Sequence, residues 1–502
     1  MYSAAKSHVV SVLGPPPTRY AVHMTLELNR TASTAEQLNS LLTQIMENFS
    51  VSDHEGPLTD EVEAFLNEQE HLTVRRHGDT VVASTDFGKP SRVILAGHLD
   101  TVPVIDNFPP KWLEPGDSLI REEIAHAHPE DRVLWGRGAT DMKASDAVML
   151  YLAATLDGRT PETTPKVDLT YVFYDHEEVV AEKNGLRKVV EAHPDWITGD
   201  FAIIGEPTNS GIEGGCNGTI RFDVVTHGVA AHSRPRAWMG ENAIHKAADV
   251  LNRLNSYEPR TITVDGLDYR EGLNATLISG GKGTNVIPDE CRVHVNYRFA
   301  PDKTLPQAKA LMMGADAGAE LGNGEHVATG GVFEGFGIEM KDESPSARPG
   351  MDAPMAVSLA KLVRERTGRE PLAKLGWTDV ARFSLLGVPA VNLGAGSPLL
   401  AHKHDEQIAE RRVGDHGRHP GGLAHRPRVS GVRARMSACR ADRIRLCGRR
   451  ARTRCQLALQ VLSTMSSPSA SMTMIRILTP FAERKRLRAS IGLGVVATPK
   501  ER

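Results

Sequence analysis

The strongest constraint on this chain is a pattern met four times: a short run of aliphatic, β-branched or aromatic residues closed by a turn or polar residue. RVILAG (92–97), DLTYVFY (168–174), FAIIG (201–205) and PAVNLG (389–394) are too short for helices and too apolar for exposed strands. They read as strands buried on both faces. KASDAVMLYLAATL (143–156) and PMAVSLAKLVRERTG (354–368) instead place apolar residues three and four apart, the period of a helix packed on one side. Strands alternating with helices predict an α/β fold whose larger domain has a mostly parallel central sheet flanked by helices.

A different pattern governs roughly 211–344. TIRFDVVTHG (219–228) and ECRVHVNYRF (290–299) alternate like half-exposed strands, and GENAIHKAADVLNRLN (240–255) is an amphipathic helix beginning near a glycine. A small α+β domain is therefore expected there, inserted into a larger domain made of 24–210 and 345–410. Residues 1–23 form an extension, with Met24 as the alternative start. Their short apolar segment and proline cluster predict no secretion signal, and no run reaches the ~18 apolar residues that a membrane span needs. Five cysteines, an odd number in a chain of 502 residues, suit a reducing cytoplasm better than a disulfide framework.

The net charge of −3 conceals an asymmetry, because residues 411–502 hold 21 Lys+Arg against 4 Asp+Glu. This stretch shows neither period of regular structure. It reads as disordered, or as a translation in the wrong frame from near Val413. A nucleic-acid-binding tail is the different-class alternative, disfavoured by the scarcity of aromatics and lysines. Cys439, Cys447 and Cys455 recur without a CxxC or a paired histidine, so no zinc module is expected.

Reactive groups in open α/β sheets collect beyond the carboxyl ends of strands. GHLDTVP supplies His98 and Asp100, placed so that the carboxylate can accept the spare ring N–H of a metal-bound imidazole. GRGATDMK supplies Asp141 just ahead of a helix, where it can equally serve as a cap. YDHEEV offers Glu177 and Glu178, IIGEPT offers Glu206, and LLAHKHDEQ offers His402 and then His404. Each alone has an ordinary reading as a cap or a solvated turn. Together they make a two-metal inventory with an imidazole and a carboxylate per ion, one carboxylate shared, and one more left free. Oxygen and imidazole donors without cysteine suit zinc first, with cobalt or manganese as alternatives. Two such ions ~3.5–4 Å apart polarise a carbonyl and supply hydroxide near neutral pH. The free carboxylate then carries protons, and amide hydrolysis follows.

With these motifs in order, the chain resembles the M20 family of dinuclear zinc amidohydrolases and peptidases over about Met24 to Glu410. The resemblance implies His98 and Glu206 on one ion, Glu178 and His402 on the other, and Asp141 bridging them across a cis bond to Met142. It implies Asp100 as the orienting partner of His98 and Glu177 as general base. It also implies a dimerising lid, in which GVAAHSRP presents His232 to the partner's site as an oxyanion donor. Within TNVIPDECRVHVNYRF, Asn285 and Arg298 are implied binders of substrate carboxylates, and GWTDVARF (376–383) a substrate-facing turn. FYDHEEVVAEKNGL resembles the actinobacterial branch that cleaves N-succinyl-LL-2,6-diaminopimelate on the way to lysine and peptidoglycan. Lys143 is a further cation for such an anionic, N-acylated amino acid. Acetylornithine deacetylation or another M20 aminoacylase or carboxypeptidase activity is the alternative. The family continues past DEQIAERRV into a last helix, where this chain has its arginine-rich stretch.

Overall fold

The computed structural model describes residues 25–410, apart from 235–236, 316 and 321–323. The expectations for 1–23 and for the arginine-rich tail with its three cysteines lie outside the described residues.

The four apolar runs become four adjacent parallel strands at the centre of an eight-stranded sheet. Their order is Asp168–Tyr174, Arg92–His98, Phe201–Ile204, Ala390–Asn392. Both faces are covered, so alternate residues enter different cores. Val93, Leu95, Tyr171, Phe173 and Val391 pack under helices Thr34–Glu47, Gly56–Asn67, Lys143–Thr155 and Pro354–Thr367. Ile94, Ala96, Val172, Ile204 and Ala390 face Gly185–Ala192 and Val380–Leu385. That double burial is why the runs are continuously apolar rather than alternating. Hairpin Thr73–His77/Thr80–Ser84 extends one side antiparallel, and Glu213–Gly214 with Leu372–Ala373 completes the other.

Arg92–His98 is flanked by the strands that follow it in sequence, one on each side. The winding direction reverses there, which leaves a crevice beyond the carboxyl ends of the central strands.

The second sheet has six antiparallel strands, ordered Gly272–Gly280, Glu290–Phe299, Gly218–His227, Gly337–Ser344, Glu325–Ala328, Ala317–Glu320. In Glu290–Phe299 the residues Cys291, Val293, Val295, Tyr297 and Phe299 are buried, sharing one core with helices Ala243–Asn255 and Leu305–Met313, as the alternating pattern requires. The helix expected near Gly240 starts at Ala243, because the Asn242 side chain accepts the N–H groups of Ile244 and His245 and ends the turn. A small third sheet joins Lys111–Leu113, Val133–Trp135 and Gln407–Ala409, and so brings the 402–406 segment back to the crevice. Among the described residues, no helix is long and apolar enough to cross a membrane, and Cys216 and Cys291 are free and buried.

Gly97 is where the helix Lys143–Thr155 approaches this sheet most tightly, since an added Cβ would lie 2.1 Å from Asp146 Oδ1 and 2.8 Å from Met142 Cε. Gly97→Ala should therefore lower stability by about 1–3 kcal/mol. A urea transition that shifts to a lower midpoint with an unchanged slope would show it.

Candidate active site

His98 is the last residue of its strand and is buried. Its Nε2 lies 3.3 Å from Asp141 Oδ1, while Nδ1 lies 2.9 Å from the Asp100 backbone carbonyl and 3.6 Å from its carboxylate. The carbonyl, rather than the expected carboxylate, is thus the nearer orienting group. The Asp100 carboxylate is taken up elsewhere. It accepts Glu177 N–H at 2.9 Å, Glu178 N–H at 3.2 Å and the Ser52 hydroxyl at 2.7 Å.

Asp141 does not cap the following helix: that position belongs to Met142, which makes no side-chain capping bond. Instead its carboxylate stands between two imidazoles, with His402 Nε2 3.3 Å from Oδ2. The Asp141–Met142 peptide bond is cis. Glu406 holds the turn, accepting Thr140 N–H at 2.8 Å and Asp141 N–H at 3.0 Å while pairing with Arg137 at 2.8 Å. His402 reaches the cluster from the opposite wall, more than half exposed, and its Nε2 lies 2.9 Å from Glu178 Oε1. Donor atoms of His98, Asp141 and Glu178 all fall within 4.8 Å of one another. Glu206, the second residue beyond Phe201–Ile204, is buried, with Lys374 Nζ 3.8 Å away.

The electrostatics are those of crowded, desolvated carboxylates. Burial, opposed by Lys374 but helped by the charges of Asp141 and Glu178, pushes Glu206 up to about 7. Burial and then the Glu206 charge drive Glu177 well above the carboxylate range, and burial raises Glu178. At Asp141 burial works the same way, but the imidazoles of His402 and His98 outweigh it and hold the carboxyl low. Hydrogen bonds to Asp141 and Glu178 raise His402 to about 10. A surplus of negative charge is met here only by imidazolium and one ammonium. Asp141 Oδ1, buried, faces the His98 imidazole at 3.3 Å without a hydrogen bond of good geometry. Two imidazoles and three carboxylates so placed fit divalent ions with nitrogen and oxygen preferences.

Not every expected residue joins this cluster. His232 is exposed in a short ladder, Ala231–His232 against Val286–Ile287, and Ser233 N–H bonds the Asn285 carbonyl at 2.9 Å. Arg298 is partly buried on Glu290–Phe299, where burial and the like charge of Arg221 push its guanidinium down. None of the hydrogen bonds or ion pairs described ties these three to the five donors. Lys143 is not a substrate-facing cation, since its buried ammonium donates to the carbonyls of Ile45 and Asn48, at 3.0 and 3.1 Å. Lys374, Glu406 and Ser52 carry no periodic signal in the sequence, and only the fold shows their place.

The profile of peptidase family M20/M25/M40 matches residues 94–416, well over half of the chain. The chain belongs to this family. Among relatives of this M20 enzyme is the succinyl-diaminopimelate desuccinylase of Corynebacterium glutamicum, 39% identical over 372 residues, which cover 73% of this chain and 90% of that protein. A Mycobacterium tuberculosis protein bearing the same name provisionally is 44% identical over 362 residues, covering 72% and 90%. In fold it is similar to an M20 family metallo-carboxypeptidase of Sulfolobus solfataricus, with a TM-score of 0.55, 15% identity, and coverage of 75% and 96%.

Glu206 binds its proton more tightly folded (about 7) than unfolded (4.5), and so do buried Asp146 (about 8 against 3.8) and His402 (about 10 against 6.5). Stability from each is full below the unfolded value and is lost as pH rises through the folded one. The chelator-stripped M20 enzyme should therefore lose stability between pH 5 and 9, by at most about 1.4 kcal/mol per pH unit for each proton of difference. Saturating zinc should flatten that slope. Thermal melts across this range check it, and a midpoint rising with pH would contradict it.

Proposed function

We propose that this M20 enzyme hydrolyses the amide bond of N-succinyl-LL-2,6-diaminopimelate to succinate and LL-2,6-diaminopimelate, in the cytoplasm, with two divalent ions, zinc before cobalt or manganese. The observation that carries the reading is the cluster of His98, Asp141, Glu178 and His402, with the buried carboxyls of Glu206 and Glu177 feeling its charges. The names of the relatives at 39% and 44% identity support the substrate. His98 and Glu206 would hold one ion and Glu178 and His402 the other, with Asp141 between them. When bound, such ions polarise the amide carbonyl and lower the pKa of water.

The remaining chemistry falls to the chain itself. Glu177, as its carboxylate, takes a proton from the attacking water, becomes the carboxylic acid that burial and the Glu206 charge favour, and passes that proton to the departing amine nitrogen. Asp100 fixes the backbone of both glutamates. Lys374 offsets charge at Glu206. Asn285 and Arg298 are assigned to the carboxylates of the substrate, and His232 to the oxyanion in the partner subunit's site. A homodimer through the second sheet is the arrangement that makes exposed His232 useful. Strand Gly272–Gly280 supports it: it is an edge strand carrying exposed Leu277 and Ile278, with exposed Ile244 of helix Ala243–Asn255 against its end at Gly280.

Metal-stripped protein given zinc or cobalt should regain desuccinylation, and inactivity of the reconstituted wild type would sink the substrate assignment. Glu177→Gln should lower kcat about 10²- to 10⁴-fold while metal content stays level. Activity that survives this change removes Glu177 as proton carrier. For the dimer, Leu277→Asp should shift sedimentation from dimer to monomer and abolish turnover, whereas a wild type that sediments as a monomer contradicts the assembly.

A further inference from the structure

His176 lies beside the acidic pair without joining the donor set. Its φ is 58°, left-handed for a residue with a side chain. The left-handed turn at His176 sends its own N–H to Glu55 and the next N–H, that of Glu177, to Asp100 at 2.9 Å, whose other oxygen takes the Glu178 N–H at 3.2 Å. The His176 ring is held at both nitrogens, with Nδ1 2.6 Å from Asp175 Oδ2 and Nε2 2.9 Å from Asp53 Oδ1. Its backbone N–H donates to Glu55 Oε1 at 3.3 Å.

Each holder is itself fixed. Thr80 donates to the other oxygen of Asp175 at 2.6 Å, and Lys183 pairs with Asp53 at 2.5 Å. The 50–55 segment that carries Asp53 and Glu55 is also fastened to the end of the His98 strand. Ser50 Oγ donates to the Leu99 carbonyl at 2.7 Å, Thr101 N–H donates to the Ser50 carbonyl at 3.0 Å, and Ser52 Oγ donates to Asp100 at 2.7 Å. One loop thus ties together the strand ends that carry His98 and the acidic pair.

We propose that His176 is a positioning residue: clamped between Asp175 and Asp53, it holds the left-handed turn that aims Glu177 and Glu178. The claim rests on the reading of Glu177 as proton carrier and Glu178 as metal ligand.

At saturating zinc, His176→Ala should lower kcat about 10- to 100-fold with KM within about 3-fold, the size seen when a group supporting a site residue is removed. His176→Asn should recover kcat to within about 5-fold of wild type, because asparagine tolerates the left-handed region. A zinc titration without substrate gives a second readout: His176→Ala should weaken the weaker site about 10-fold, and His176→Asn should restore it. Wild-type kcat in the alanine variant, an asparagine variant as impaired as alanine, or unchanged zinc affinity in both would each overturn the proposal. Should His176→Ala not fold, Asp53→Ala removes the outer clamp, with kcat expected to fall about 3- to 10-fold and a wild-type kcat counting against it. The zinc titration stands even if the wild type ignores the succinylated substrate, which would count only against the assigned reaction.

Discussion

Negative charge gathered where little water reaches is the condition on which the rest of this molecule depends. Asp141, Glu178 and Glu206 crowd one end of the central sheet, and removing an ion from water costs several kcal/mol even after relaxation. Two imidazoles and the Lys374 ammonium offset part of it. The raised carboxyls of Glu177, Glu178 and Glu206 mark what is left over. A site so constituted is stable when cations take the place of its protons, which makes metal binding and folding parts of one equilibrium.

Holding mutually repelling groups together needs a rigid frame. The parallel sheet supplies its first layer by ending three neighbouring strands at His98, Tyr174 and Ile204 on the same edge. Polar contacts supply the next. Glu406 gathers the N–H groups ahead of Met142, Asp100 gathers those of the acidic pair, and the 50–55 segment laces two strand ends to each other. Side-chain donors complete them, Ser52 at Asp100 and Arg137 at Glu406, since buried carboxylates need their hydrogen-bond partners.

The second sheet obeys a different logic. Its buried face is complete, but its edge strand and one helix leave aliphatic side chains exposed, and His232 and Asn285 sit together away from the donor cluster. The roles proposed for His232, Asn285 and Arg298 differ from those of the donor cluster in that no described hydrogen bond or ion pair brings these side chains to it.

Much of this was readable from residue order. Continuous apolar runs identified the four central strands to within two residues, because burial on both faces leaves no polar alternation to blur them. Alternation marked Gly218–His227 and Glu290–Phe299 as half-exposed strands; that holds for the second, where buried and partly buried residues alternate, whereas Gly218–His227 is a strand buried at nearly every position. The candidate donors were chosen from the same order, since the edge beyond the strand ends is where this topology places ligands. What linear order could not reveal was which neighbour each polar group would choose. Asp141 reads equally as a cap and Lys143 as a free cation, while linear order assigns His176 nothing. Their fates were settled by Glu406 from 265 residues downstream, by carbonyls 98 and 95 residues upstream, and by Asp53 123 residues upstream. The sequence by itself determined the strands and the kinds of donor, because periodicity and residue chemistry are local. Only the tertiary structure decided partners and orientations, because hydrogen bonds and charges act through space between segments whose separation along the chain carries no trace of their contact.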